Sequence, residues 1–275
     1  MGKTSPQMRR HAALFDLHVP HQINLSPVIS YLKDYAPTEF IMGGDFLSCE
    51  WASHWNEREF KYLGLEKLSQ MLHEEIQAGR DVLSQINSAL PKDCNKYFIP
   101  GNHEDWLYWA SITYPALAGA VTLGIDSMVF KSDLAEIRKQ KVAELLDKHL
   151  NLSSMNFKVL PYDKELRLGK LTYIHGDSVS TMTALKKRYP ARNIIAGHHH
   201  TECVDTIHNS GDSLSANQYV SVPCLCNLSP GYLKGSSTMW LQGFWTADIF
   251  PSGHFDGRVV KVIDNCVVSN GKVYK

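Results

Sequence analysis

Five short apolar stretches of this chain each end in a turn that carries Asp, His or Asn. The turns are Asp16-Leu17-His18, Gly43-Gly44-Asp45, Gly101-Asn102-His103-Glu104, His175-Gly176-Asp177 and Gly197-His198-His199-His200. In layered α/β folds, ligand-binding and catalytic residues collect where strands stop and loops begin. The five turns therefore predict one convergent site, provided that the strands lie side by side.

The segments around these turns predict an α/β fold. Strand-like runs and helical spacings alternate in the first half of the chain, whereas the second half contains mostly short strand-like runs. Strands are predicted at 12–15, 39–42, 96–99, 157–160, 171–174, 193–196, 219–222, 239–250 and 258–268, and helices from 26 and at about 57–90, 104–120, 132–150 and 181–188. Gly79 is a point where the long helix could bend, and Asn270-Gly271 predicts a hairpin turn. We expect a single domain over residues 1–275 with two sheets inside and helices outside, in which residues 51–150 could form a helical lid.

Composition excludes some classes of partner. Among 275 residues, 28 Lys+Arg balance 28 Asp+Glu, which argues against holding nucleic acid or a membrane by bulk positive charge. No run of about 18 apolar residues occurs, so no membrane span is expected. Six scattered cysteines without a CxxC pair predict reduced thiols and a cytoplasmic location. The sequence does not indicate an oligomeric state.

The residue types at the turns indicate a class of metal. Carboxylate oxygens together with imidazole nitrogens suit Mn, Fe or Zn, whereas an all-oxygen set would suit Mg or Ca. The lack of paired thiolates argues against a structural zinc knuckle. Cys224-Leu225-Cys226 is interpreted as two side chains on one face of a strand.

In their order, the five turns resemble the motifs of the calcineurin-like metallophosphoesterase superfamily, which run D-x-H, G-D, G-N-H-(E/D), H and G-H-x-H. The match spans residues 16–200. The resemblance implies a four-layer α/β/β/α sandwich of two mixed β-sheets flanked by helices, with a two-metal centre. It implies that one ion is bound by Asp16, His18, Asp45 and His200, and that the second shares Asp45 and adds Asn102, His175 and His198. His103 matches a catalytic histidine that does not bind metal.

The implied activity is hydrolysis of a phosphoester with two divalent ions, of which Mn is favoured and Fe or Zn are alternatives. Two ions about 3.5–4 Å apart would clamp the phosphate, and a hydroxide bridging them would attack it. His103 would stabilise the growing charge or protonate the leaving oxygen. The substrate is expected to be a nucleic acid, a nucleotide or a small molecule.

Departures from the motifs favour some branches over others. The protein-phosphatase branch reads G-D-x-x-D-R-G, but the segment after Asp45 has neither the second Asp nor the Arg. Gly43-Gly44-Asp45-Phe46-Leu47 is similar to the repair-nuclease branch, although Ser48 replaces its His, and His54 is either a substitute or a surface residue. His175-Gly176-Asp177 is similar to lipid A-pathway pyrophosphatases, which usually have Arg where His103 stands. We therefore expect a phosphodiesterase, nuclease-like or nucleotide-cleaving, ahead of a small-molecule phosphomonoesterase and a non-catalytic binding module.

Several other residues allow two interpretations. Trp51, Trp55, Trp106 and Trp109 could form a platform for stacked bases, or they could pack helices onto the sheet, which we expect for at least half of them. Lys186-Lys187-Arg188 and Arg192 could guide a polyanion or lie on a solvated face. Asp177 is expected to cap the helix at 181–188, and His199 is expected to point away from its histidine neighbours.

Overall fold

Thirteen strands form the two sheets of the computed structural model, which describes residues 8–53, 63–114, 117–122, 135–177, 181–208, 216–230 and 237–275. In chain order the strands are β1 (Arg9–Leu14), β2 (Glu39–Met42), β3 (Asn95–Phe98), β4 (Phe157–Val159), β5 (Leu166–Leu168), β6 (Leu171–Ile174), β7 (Asn193–Ala196), β8 (Cys203–His208), β9 (Ala216–Ser221), β10 (Gly243–Ile249), β11 (Phe255–Ile263), β12 (Cys266–Ser269) and β13 (Lys272–Tyr274). The helices in the same ranges are α1 (Ser26–Tyr35), α2 (Leu65–Ala89), α3 (Asn102–Thr113), α4 (Ala118–Thr122), α5 (Ala135–Leu150) and α6 (Met182–Arg188).

Both sheets mix parallel and antiparallel strands. The larger has the order β13-β12-β11-β10-β1-β2-β3-β4, and the smaller has the order β5-β6-β7-β9-β8. Strands β1 to β4 are parallel to one another, as are β6, β7 and β9. Because parallel strands point their carboxyl ends the same way, each sheet presents the loops after its central strands at a single edge.

Apolar side chains fill three layers. Between the sheets lie residues from both, among them Ile41, Tyr173, Ile195 and Trp245. A second cluster joins the outer face of the larger sheet to helices α1, α2, α3 and α5, and a third joins Leu185 of α6 to the outer face of the smaller sheet. The predicted α/β/β/α sandwich is confirmed. A lid function for residues 51–150 stays a prediction.

The helical predictions hold with corrected limits. Helix α2 continues through Gly79, where a Cβ would come within 3.0 Å of the side chains of Leu47 and Leu150. Gly79 therefore allows close packing and does not divide the helix. The predicted helix at 104–120 is wrong as one element, because α3 ends at Thr113 and α4 begins at Ala118. Residues 57–62 and 132–134 lie outside the described residues.

The C-terminal strands show both a confirmed and a corrected prediction. The hairpin of β12 and β13 turns at Asn270 and Gly271, whose φ values are 50° and 75°. The run at 258–268 is not one strand, because Asp264 and Asn265, with φ values of 49° and 54°, separate β11 from β12. Within the described residues, no helix is both long and apolar enough to cross a bilayer.

Candidate metal centre

The loops after β1, β2, β3, β6 and β7 meet at one place between the two sheets. Backbone hydrogen bonds join the first two loops, from Asp16 N to Gly44 O and from His18 N to Asp45 O, each 3.0 Å. The main-chain N–H of His198, after β7, donates to Asp16 Oδ2 at 2.9 Å and so ties the second sheet to the first. The seven ligands predicted from the sequence are brought together here.

One end of the cluster contains Asp16, His18 and His200. The Nε2 atoms of His18 and His200 are 3.2 Å apart, and Asp16 Oδ1 is 3.5 Å from His200 Nε2. Asp16 is fully buried, and His200 is 6% exposed. We call this end of the cluster the Asp16 pocket.

The other end contains Asp45, Asn102, His175 and His198. His175 Nδ1 lies 3.0 Å from Gly43 O and donates to it, so that Nε2 faces Asp45 Oδ2 at 3.2 Å and Asn102 Oδ1 at 3.1 Å. One ligand atom each from Asp45, His175 and His198 lies within 4.8 Å of the others. We call this end the His175 pocket.

Asp45 lies between the two ends. It groups with His175 and His198 on one side and with His18 and His103 on the other, with the ligand atoms of each group within 4.8 Å of one another. Its Oδ1 accepts the main-chain N–H of His103 at 2.9 Å. This is the place that a bridging carboxylate would occupy.

The backbone is left-handed at five of the predicted ligands. The φ values are 53° at Asp16, 50° at His18, 46° at Asp45, 73° at His198 and 57° at His200. Such conformations are uncommon outside glycine and cost about 1–3 kcal/mol each. Strain concentrated at one cluster of polar residues is typical of a functional site.

Buried carboxylates and imidazoles control each other's charge. Although burial alone would raise it, the imidazoles of His103 and His175 hold the pKa of Asp45 well below its usual range. Burial opposes the charged form of His175, yet Asp45 raises its pKa to about 9; in the same way Asp16 raises the pKa of His200 to about 10. Burial lowers the pKa of His198 to about 4. Positive charge is thus favoured at His175 and at His200 and disfavoured at His198.

The donor atoms fit divalent ions in both pockets. Asp16 Oδ1 and His198 Nδ1 are buried without a hydrogen-bond partner, which is costly unless another group satisfies them. At His175, Nε2 converges with two oxygens on one point. Lone pairs that meet in this way repel one another unless a proton or a metal ion lies between them, and imidazole with carboxylate is a usual donor set for Mn, Fe or Zn.

His103 lies beside the cluster and has a fixed ring. Its Nδ1 is 2.5 Å from Ser48 O, and its Nε2 is 3.7 Å from Asp45 Oδ2. The indole of Trp106 lies against the imidazole, with ring centroids 3.9 Å apart and the planes inclined by 34°. Since Nδ1 donates to the Ser48 carbonyl, Nε2 is the ring atom that faces the cluster.

Glu104 braces the loops of the site. Its Oε2 accepts the N–H groups of Gly101 at 2.7 Å and Asp45 at 3.0 Å, and its Oε1 accepts that of Leu47 at 2.9 Å. The side chain is fully buried. This bracing role is not predicted from the sequence, although the place of Glu104 in Gly101-Asn102-His103-Glu104 is a signal for one.

The aromatic and basic residues near the motifs have mixed roles. Trp51 is buried and donates from Nε1 to Glu75 at 2.8 Å, so it packs as expected. Trp109 is 42% exposed and lies under the guanidinium of Arg138, and Trp55 and His54 lie outside the described residues. Three of the four basic side chains face acids, in the pairs Lys186–Asp205, Arg188–Asp177 and Arg192–Glu165.

Two smaller predictions have clear outcomes. Asp177 does not cap α6, because Thr181 is the N-cap and accepts the N–H of Ala184 at 3.3 Å, while Asp177 binds Arg188. The reason is distance along the chain, since a cap must directly precede its helix. Among the described residues, His199 is in none of the clusters of side chains that could bind a metal ion. Its ring lies against that of His198, with the ring centroids 5.2 Å apart.

Comparison with known proteins gives a distant likeness. No protein-family model matches the chain, and no curated protein matches it. Solved structures that match include Vps29 of Entamoeba histolytica complexed with Zn²⁺, with a TM-score of 0.42, 11% identity and coverage of 94% of this chain and 96% of that one. Chaetomium thermophilum Vps29 matches with a TM-score of 0.37, 8% identity and coverage of 92% and 97%. Likeness at this level carries no conclusion about activity.

Proposed function

We propose that this chain is a two-metal phosphoesterase of the calcineurin-like superfamily that hydrolyses phosphodiester bonds, with a nucleotide or nucleic acid as the expected substrate. The observation that carries the proposal is the position of Asp45 between two sets of imidazoles. A carboxylate shared by two pockets is the arrangement that a pair of ions needs in order to act on one phosphate. The order of the five motifs in the sequence supports the same assignment.

The residues of the chain have distinct tasks in this reaction. Two divalent ions, when bound, would supply positive charge to the phosphate and lower the pKa of a water molecule. Asp16, His18 and His200 would hold one ion, and Asn102, His175 and His198 would hold the other. His103 would act as an imidazolium, with the Nδ1 hydrogen held by Ser48 O and the Nε2 hydrogen given to the leaving oxygen.

The pairing of three arginines with acids supports a diester ahead of a monoester. A phosphate monoester carries more negative charge than a diester and is often gripped by an arginine fork. Arg188 and Arg192 are paired with Asp177 and Glu165, and Arg138 faces Asp105 at 3.7 Å. These pairings leave less positive charge for a second phosphate oxygen.

A cytoplasmic location is part of the proposal, and the six cysteines, all free thiols, support it.

The first test compares bis-p-nitrophenyl phosphate with p-nitrophenyl phosphate as substrates. The metal-stripped protein should be inactive, and added Mn²⁺ should produce cleavage of the diester. His103→Ala should keep two bound ions and lose about 10²–10⁴-fold in kcat, whereas Asp45→Asn should lose both ion binding and turnover. His254→Ala is the matched control, since His254 is exposed in the turn after β10.

Other outcomes separate the alternatives. Preference for the monoester would contradict the diesterase proposal and favour a small-molecule phosphatase. Two bound ions with no cleavage of either compound would favour the non-catalytic binding module. Failure to bind any divalent ion would contradict the whole assignment.

A further inference from the structure

Five aromatic rings form a row that includes both histidines of the Asp16 pocket. Neighbouring ring centroids are 3.9, 4.5, 5.1 and 4.3 Å apart, in the order Trp106, His103, His18, His200 and Trp240. The three inner rings are imidazoles of the candidate site. The two outer rings are indoles, and both tryptophans are partly exposed. The site therefore has an aromatic surface at each end of the row.

The two indoles come from opposite sides of the loops that carry the aspartates. Part of the larger sheet has the order β10-β1-β2-β3, and the loops after β1 and β2 carry Asp16 and Asp45. Trp106 lies in α3, which follows β3, whereas Trp240 lies just before β10. Since β10 is antiparallel to β1, it begins at the edge where β1 ends. Neighbouring strands are about 4.8 Å apart, so β10 and β3 are roughly 14 Å apart. A ligand that contacts both indoles therefore needs two separate arms.

The backbone fixes the segment of Trp240 against the site. The N–H of Leu241 donates to His200 O at 2.8 Å, and Leu241 O accepts the N–H of Cys224 at 3.1 Å. The indole of Trp240 lies against the His200 ring with the planes inclined by 61°. The flanking side chains of Met239 and Leu241 are 81% and 42% exposed. Adjacent exposed apolar side chains are typical of a surface that binds a ligand.

The charges of the chain favour a short ligand over a long polyanion. The 28 Lys+Arg are balanced by 28 Asp+Glu, and Arg138, Arg188 and Arg192 face acids. Proteins hold long nucleic acids mainly through contacts of Lys and Arg with phosphates. Bases that stack on aromatic side chains add affinity without such contacts. A ligand with two planar rings and one phosphate fits this balance.

We propose that Trp106 and Trp240 each bind one base, and that the substrate is a dinucleotide-sized phosphodiester with a planar ring on each arm. The inference rests on the proposed diesterase function and adds a substrate class to it. Because Trp106 lies against His103, the proton donor to the leaving oxygen, the leaving arm stacks on Trp106. The retained arm stacks on Trp240.

The reaction on this substrate is a hydrolysis and needs no other reactant. Water supplies the oxygen of the new bond to phosphorus, and the bond from phosphorus to the leaving oxygen breaks. The leaving oxygen takes a proton from His103, and the proton lost by water restores the imidazolium. The products are a nucleoside and a nucleotide with a phosphate monoester.

The first test measures the contribution of each base by competition. Thymidylyl-thymidine and thymidine 5′-methyl phosphate differ by one base, and each competes with bis-p-nitrophenyl phosphate for the Mn²⁺-loaded full chain. The wild type should bind the dinucleotide about 5–150-fold more tightly, which is the usual contribution of one stacked base. Trp106→Ala and Trp240→Ala should each abolish this preference, because only one indole remains. Trp240→Phe should keep most of it.

A second comparison tests whether Trp240 binds the retained arm. Thymidine 5′-(p-nitrophenyl) phosphate and methyl p-nitrophenyl phosphate have the same leaving group, so the ratio of their kcat/KM values reports on the retained arm alone. Trp240→Ala should lower this ratio about 5–150-fold, mainly through KM. Phe250→Ala is the matched control and should keep the ratio, since Phe250 is 44% exposed just after the other end of β10.

Three results would overturn the inference. Equal affinity of the wild type for the two thymidine esters would show that only one base is bound, and this measurement does not depend on a variant that folds. An equal loss of turnover on both p-nitrophenyl esters in Trp240→Ala would show that the indole only positions His200. Unchanged kinetics of that variant on both esters would show that Trp240 does not contact the substrate.

Failure of this inference is separable from failure of the proposed function. Metal-dependent cleavage of bis-p-nitrophenyl phosphate without preference for the dinucleotide would leave the diesterase in place and remove the two-ring substrate. A metal-loaded protein that cleaves no diester would contradict the proposed function itself. In that case quenching of tryptophan fluorescence by thymidylyl-thymidine measures the affinity, and equal affinity for the methyl ester again overturns the inference.

Discussion

At the scale of single residues, backbone hydrogen bonds and side-chain donors cooperate to build the candidate centre. Asp16 holds the His198 N–H through Oδ2 and leaves Oδ1 for an ion. Asp45 likewise uses Oδ1 for the N–H of His103 and turns Oδ2 toward His175. Each aspartate thus fixes a neighbouring loop with one oxygen and offers the other to a cation.

Glu104 provides a test of this bracing. Glu104→Gln removes one of the two acceptor oxygens that hold the N–H groups of Gly101, Asp45 and Leu47. Burial raises the pKa of the Glu104 carboxyl to about 7, so the group is not fully charged at neutral pH. A buried N–H left without an acceptor costs about 1–3 kcal/mol, and we expect a loss of about that size in the free energy of unfolding. Urea unfolding of the metal-stripped protein measures it. An unchanged midpoint would show that Glu104 does not brace the loops.

The residues that the structure brings together could be selected from the sequence, but their conformations could not. Asp, His and Asn after apolar stretches are visible in any sequence. Left-handed φ values at Asp16, Asp45 and His200 depend on loops that come from distant parts of the chain. Trp240 was not selected, because nothing local places it against His200.

At the scale of elements, helix α2 supports the loop that follows β2. Glu75 projects from α2 and accepts the N–H of Cys49 at 2.6 Å and the indole N–H of Trp51 at 2.8 Å. Burial raises the pKa of Glu75 to about 7, and these two hydrogen bonds offset only part of that effect. The carboxyl therefore keeps its proton in the native state over a range in which the unfolded chain has lost it.

This difference predicts a pH dependence of stability. The native state binds the extra proton between about pH 4.5 and 7, so Glu75 makes the free energy of unfolding fall as pH rises through that range, by roughly 3 kcal/mol. In Glu75→Gln this contribution is absent. The stability of the wild type minus that of the variant, from urea unfolding at pH 5, 6, 7 and 8, should decrease with pH. Parallel curves for the two proteins would contradict the raised pKa.

Strands, helices and turns were predicted correctly where a few neighbouring residues specify them. The hairpin at Asn270 and Gly271 follows from two residues that accept positive φ. Strands β5 and β8 were missed because both lie at the edges of the smaller sheet. All but one residue of β8 is exposed, so no alternation of apolar and polar residues marks it.

At the scale of the whole molecule, loops from the two sheets come close together at Phe15. A Cβ on Gly43, after β2, would lie 2.1 Å from the Phe15 ring, and a Cβ on Gly197, after β7, would lie 2.5 Å from it. Phe15 is fully buried. These two glycines allow loops from different sheets to contact one ring, directly beside Asp16.

Gly197→Ala tests this contact. The added methyl group would also lie 2.7 Å from Asp16 Oδ2, so we expect about 1–3 kcal/mol of destabilisation from overpacking. Ion binding should weaken as well, because Asp16 and His198 would shift together. Thermal unfolding and titration calorimetry measure the two effects. Gly119→Ala is the control, since nothing lies within 4 Å of that position, and equal behaviour of the two variants would contradict the model of close approach.

The sequence by itself determined the α/β class, the hairpin and the set of polar residues at the strand ends, since these depend on local periodicity and turn chemistry. The tertiary structure decided that Asp45 lies between the two pockets, that Glu104 braces three N–H groups and that Trp240 lies beside the Asp16 pocket. These facts depend on the packing of loops from distant parts of the chain, since the larger sheet joins β1–β4 to β10–β13 and the smaller sheet is formed by the strands between them. The hydrogen bond from Leu225 N to Asp16 O is set by that packing, and no local pattern encodes it.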